Sequence, residues 1–140
     1  MDWTIKLYGS PEYFRVTMHG DASLVRFQWM LTELASVVAT FERPLVLFDQ
    51  RESRLDSLEM IDLSMARDFL VVKNPFLART RIAALSNPGR DFHVITKFKE
   101  IVGDASLAEI EAFYDETAAI EWLHQPNGDP TDLLTSAAPA

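Results

Sequence analysis

Leu45 to Met60 reads LVLFDQRESRLDSLEM. It opens on an unbroken apolar run, reaches an acid at Asp49, crosses a polar stretch and enters a helical pattern near Ser57. A short run with no polar alternation is the pattern of a strand covered on both faces, because neither side can face water. PLVLFD is therefore read as a buried central strand. The helix after it, from about Ser57 to about Val72, is the crossover that a parallel neighbour requires. Leu58, Ile61, Met65, Phe69 and Val72 form its expected inward stripe, while Met60, Leu63, Leu70 and Val71 lie off that stripe. KNPF ends it, since a residue before proline avoids the helical region.

The same unit recurs downstream. TRIAALS is a second buried strand. Asn87 is read as the cap and Pro88 as the first residue of a third helix. Phe92, Ile95, Phe98 and Val102 mark the face of that helix, and Gly103 closes it. EIEAFY is a last strand, and Asp115 caps the helix ETAAIEWL, which is expected to bury Trp122 and Leu123. Upstream, WTIKLY and the alternating YFRVTMHG form a hairpin across GSP. Leu24, Phe27, Leu31, Leu34, Val38 and Phe41 then define one face of a helix capped by Ser23 or Asp21 and stopped by Pro44.

The order is strand, strand, helix, strand, helix, strand, helix, strand, helix. Alternation with right-handed crossovers requires a mostly parallel sheet under helices, and the opening hairpin makes it mixed. The expected fold is a single-domain α/β sandwich of five strands and about four helices over residues 1–124. Residues 125–140, rich in turn and small residues, are expected to be a flexible tail.

Composition narrows the function. Of 140 residues, 48% are hydrophobic, enough for a core, and there is no cysteine for a disulfide or a thiolate. No signal peptide or apolar span is legible, so a cytoplasmic location is expected. A net charge of -8 disfavours nucleic acid as a partner. The charge is uneven: Arg67 to Glu100 holds seven bases against three acids, an excess that can mark a partner face. His19, His93 and His124 show no ligand spacing, so no metal or other cofactor is expected. Asp49, at the end of a central strand, stands where open α/β sheets place their sites, as a candidate acid or a loop-satisfying carboxylate. No glycine-rich phosphate loop and no GxSxG elbow is present, so an enzyme is the least favoured class.

Several stretches together resemble one family. VTMHGDASLVRF, LVLFD, RTRIAALS and above all FYDETAAIEWL, in this order from about Tyr13 to Leu123, are similar to the SpoIIAA-like bacterial proteins related to STAS and SEC14-type domains. The resemblance implies a STAS-like fold and a binding or signalling domain without shared enzymatic activity, with an apolar cavity or membrane association in some members. Regulatory STAS domains carry a D-S-[ST]-G turn whose first serine is phosphorylated. Here the turn reads DSLE: Asp56 and Ser57 match, and Leu58 and Glu59 depart. Serine is also a favoured helix cap, and that is the preferred reading of Ser57. A phosphorylation-controlled domain resembling an anti-sigma-factor antagonist, with Ser57 as phosphoacceptor, is the alternative.

The apolar surplus is the stronger functional signal. The second and third helices carry more apolar residues than one face needs, and the surplus has three outlets: a ligand pocket, a membrane surface or a homodimer interface. Phe69, Leu70, Phe76, Phe92, Ile95 and Phe98 are the candidate lining for an apolar, lipid-like ligand. Lys73, Arg79, Arg81, Lys97 and Lys99 are candidate contacts to an anionic head group or membrane surface.

Overall fold

A computed structural model describes residues 1–9, 12–70, 79–103 and 109–125. The chain opens with the expected hairpin. β1 (Asp2–Gly9) pairs antiparallel with β2 (Glu12–Asp21), with Tyr8 opposite Tyr13 and their rings stacked at 5.3 Å. β3 (Leu45–Arg54), β4 (Arg81–Leu85) and β5 (Glu109–Phe113) then add in parallel, giving the sheet order β1-β2-β3-β4-β5.

Among the described residues four helices cover this sheet: α1 (Leu24–Val38), α2 (Met60–Asp68), α3 (Arg90–Val102) and α4 (Glu116–Leu123). Parallel strands laid down in sequence order, with right-handed crossovers, place every crossover helix on one face. Accordingly α1, α2 and α3 share one face, where Phe14, Val16, Met18, Val46, Phe48 and Ile82 meet Met30, Leu31, Leu34 and Val102. α4 follows the last strand, is free of that rule and takes the other face, packing Ala119 and Leu123 on Leu47, Ala83 and Leu85. Alternation along β3 sends Val46 and Phe48 to one helix layer and Leu47 to the other, which is why the run is apolar throughout.

Capping follows the sequence at two helices. Ser23 Oγ accepts the Arg26 N–H at 3.2 Å, and Asp115 accepts the Ala118 N–H at 3.1 Å. Gly103 closes α3 with φ of 40°, a backbone that glycine adopts readily. At two others the chain differs. α3 begins at Arg90 after Gly89, and Asn87 instead donates from its side-chain amide to the Arg51 carbonyl at 2.8 Å. α2 begins at Met60, and the Glu59 N–H is satisfied by Asp62 at 2.9 Å, so Ser57 is not its cap.

The inward stripe of α2 also differs in part: Leu58 and Phe69 face the chamber and the core as expected, but the stripe residues between them do not. Leu63, Ala66 and, just beyond the helix, Leu70 are buried, whereas Ile61 and Met65 are 61% and 46% exposed. α2 packs chiefly on α3 and α1 rather than on the sheet, so the side chains aimed between those two helices are the ones enclosed. The expected extension of α2 to Val72, the KNPF stop, and the tail from residue 126 lie outside the described residues. Trp122 is half-buried rather than buried: it packs on Phe113 at 5.7 Å, and the Arg81 guanidinium lies 4.2 Å over its ring.

Candidate functional site

β3 runs five residues beyond the expected strand end at Asp49, and a bulge makes this possible. Thr17 pairs with Asp49 but His19 pairs with Glu52, so β3 carries one extra residue between them. The shift falls after Asp49, so the alternation of the strand carries through: Asp49 follows Leu47 to the α4 face and Gln50 follows Phe48 to the three-helix face.

On the α4 face Asp49 is clasped. Arg15 reaches its carboxylate at 2.7 Å and Arg51 at 2.9 Å, while Glu116 from the first turn of α4 pairs with Arg15 at 2.5 Å and Arg51 at 3.4 Å. Burial alone pushes the Asp49 carboxyl up, but the hydrogen bonds from Arg51 and Arg15 outweigh it and hold the group down to about 2. Burial pushes Arg15 down, and its bonds to Asp49 and Glu116 outweigh that, leaving its affinity for the proton raised. Arg51 is raised chiefly by its bond to Asp49. Asp49 is thus a carboxylate at neutral pH with no proton to donate, and the cluster fastens α4 to the centre of the sheet.

On the three-helix face the layer is not closed. α1, α2, α3 and the sheet enclose an apolar cavity of about 70 Å³. Met18, Phe48, Ile82 and Ala84 form its floor, Phe27 and Leu31 of α1 one wall, and Leu63 and Ala66 of α2 with Ile95 and Phe98 of α3 the rest. Two polar residues join them. Asp62 is engaged by the Glu59 N–H. Gln50 is buried, and its side-chain Oε1 has no hydrogen-bond partner. The regular alternation of β3, continued from Val46 and Phe48, delivers this side chain to an otherwise apolar chamber.

The lining expected from sequence is divided. Leu70, Ile95 and Phe98 come together at this cavity. Phe69 packs beside it against the main core. Phe92 turns away to meet Tyr114 edge-on at 5.2 Å, and Phe76 lies outside the described residues. The bases do not converge on it. Lys97 pairs with Glu100 at 3.3 Å and Lys99 with Glu111 at 2.6 Å. Arg81 sits on the α4 face, where it donates to the Gln125 carbonyl at 2.7 Å, Arg79 lines a separate cleft beside it, and Lys73 lies outside the described residues. Gln50 was not singled out by sequence, because the expected strand ends at Asp49; one more step of the Val46–Phe48 alternation puts Gln50 on the three-helix face.

Ser57 is exposed in the β3–α2 turn and donates from its hydroxyl to the Ala22 carbonyl at 3.0 Å. His19 pairs with Glu52 at 2.8 Å at the strand ends, His93 is exposed on α3, and His124 lies at the end of α4. Among the described residues no group of three or more histidines or carboxylates is placed to hold a metal ion, and no helix is long and apolar enough to cross a membrane.

No protein-family model matches the chain, and no curated protein does. Among solved structures it is similar to an uncharacterised protein of the DUF3478 family, with a SpoIIAA-like fold, from Shewanella loihica PV-4. The TM-score is 0.53 at 17% identity, over 87% of this chain and 92% of that one. The five-stranded, mostly parallel sheet, its four helices and this likeness together give the chain a SpoIIAA-like, STAS-like α/β fold.

Proposed function

We propose that the chain is a binding module for a small, largely apolar molecule that carries one polar group. The observation that supports this reading is the apolar cavity lined by Gln50, whose buried amide oxygen has no partner. Each methylene moved from water into such a site contributes about 0.8 kcal/mol. A buried polar group without a partner costs about 1–3 kcal/mol, so a ligand that satisfies Gln50 gains over one that does not. At about 70 Å³ the chamber has about half the volume of the ~150 Å³ apolar cavity known to hold benzene. It takes a few heavy atoms as it stands, and anything longer displaces α2, which has little direct purchase on the sheet.

Thermal melts with a series of linear alcohols and the matching alkanes test the reading. Saturable stabilisation is expected, with alcohols preferred and the preference lost in Gln50→Leu. A panel in which no member shifts the melt saturably would sink it.

A second reading keeps Ser57 as a phosphoacceptor, and it is favoured by the exposure of that turn. Phosphorylation would replace the donor to the Ala22 carbonyl with a group of about -1.5 to -2 charges. The tie between the β2–α1 and β3–α2 turns would open, beside the cavity-lining residues Ala22 and Leu58. Stoichiometric phosphate on Ser57 in the protein isolated from cells would promote this reading over the first.

A further inference from the structure

A second cavity, of about 280 Å³, lies on the α4 face, where β3 and β4 begin. It is separate from the apolar chamber in both position and chemistry. Among the described residues its wall carries Arg43, Arg79 and Arg81 against a single carboxylate, Glu109. Arg81 is engaged: it lies over Trp122, donates to the Gln125 carbonyl at 2.7 Å, and its Nε stands 3.4 Å from Glu109, buried and without a hydrogen bond. Arg43 and Arg79 are exposed, and neither forms an ion pair or side-chain hydrogen bond among the described residues.

Among the described residues this concavity therefore gathers two guanidinium groups without an acidic partner, in a chain whose net charge is -8. A guanidinium presents a planar fork of donors that matches phosphate or carboxylate oxygens. Two unpaired forks match a dianion better than a single carboxylate. The volume falls just under the roughly 300–1,000 Å³ of sites for drug-sized ligands, which suits a small anion. We infer that this cleft binds a small phosphate-class anion, with Arg43 and Arg79 as its direct partners and Arg81 as the fixed floor. Glu109 opposes the anion and limits its affinity.

Chemical-shift titration of the full chain with inorganic phosphate and with pyrophosphate, at low salt, tests the assignment. Saturable binding is expected, tighter for pyrophosphate. Arg43→Ala combined with Arg79→Ala should weaken it at least about tenfold, given the strength of charge-assisted bonds. Arg54→Ala, which removes a guanidinium paired with Asp21 at the far end of β3, should leave it unchanged. Glu109→Gln should tighten binding several-fold, a gain that no loss of folding can imitate. Vesicles containing phosphatidic acid separate the sources. Co-sedimentation that disappears in the double arginine variant assigns the phosphate to a lipid head group. Soluble-anion binding without co-sedimentation assigns it to a free small molecule. The absence of saturable binding to either anion, or an equal loss in Arg54→Ala, would overturn the inference.

Discussion

Asp49 shows what one side chain can hold together. Its carboxylate is 9% exposed and joins β2 and β3 through Arg15 and Arg51, while Glu116 extends the cluster to α4. Asp49→Asn would leave Arg15 mostly buried with half its counter-charge, a loss expected to cost about 3–5 kcal/mol at neutral pH. The pH dependence has a definite sign. A carboxyl held down to about 2, from an ordinary value of 3.8, stabilises the fold above pH 4 and loses that contribution as pH falls toward 2. Urea melts should therefore show a gap between wild type and Asp49→Asn that narrows across that window. A gap independent of pH would disprove the role. Ser57 makes the opposite kind of point. As a donor to the Ala22 carbonyl, rather than a cap, it cannot be replaced by an acid. Ser57→Ala should cost about 0.5–1.5 kcal/mol. Ser57→Asp should cost at least as much, because a carboxylate would face a carbonyl oxygen. If the aspartate variant were as stable as wild type in urea melts, the hydrogen bond would carry no weight. The sequence motif at Ser57 was visible, but its partner, thirty-five positions away, was not.

At the scale of the element, most boundaries were legible because local chemistry set them. Ser23 and Asp115 cap where serine and aspartate cap, Gly103 ends α3, and the alternation of β2 matches its burial. α2 was misread because it is apolar on two sides, and periodicity alone gives no preference between them. Partner geometry chose Leu63, Ala66 and Leu70, which α1 and α3 enclose, over Ile61 and Met65. The bulge in β3 was illegible for a related reason: it arises from the register against β2, not from any residue that demands it. The choice can be checked by substitution. Leu63→Ala should cost about 2–5 kcal/mol, and Ile61→Ala or Met65→Ala should stay within about 0.5 kcal/mol in chemical denaturation. Equal costs on the two sides would mean that the outer face of α2 is covered in solution, as a homodimer or a bound partner would cover it.

The whole molecule carries an uneven distribution of order. On one face of the sheet α4 is packed and fastened by the Asp49 cluster, and the other is roofed by three helices that leave a chamber. An empty volume of about 70 Å³ costs about 1.7 kcal/mol at ~24 cal/mol per Å³, and the unpartnered Gln50 adds about 1–3 kcal/mol. Those costs are a sizeable part of a net stability of about 5–15 kcal/mol. The cavity part of that cost would shrink with a larger side chain at Ala84, which is buried at the floor of the chamber on β4. Ala84→Val places two more carbons there and suits a strand, so the ligand-free protein should gain about 0.5–2 kcal/mol. The same methyl groups should exclude the ligand. A bound molecule at a hundred times its dissociation constant stabilises wild type by about 2.7 kcal/mol. In Ala84→Val that increment should shrink toward zero while the unliganded melting temperature rises. Opposite movements of these two quantities in one variant are the mark of a retained binding chamber. A variant that gains no stability, or that still responds fully to the ligand, would show that the space under α2 is not where the ligand goes.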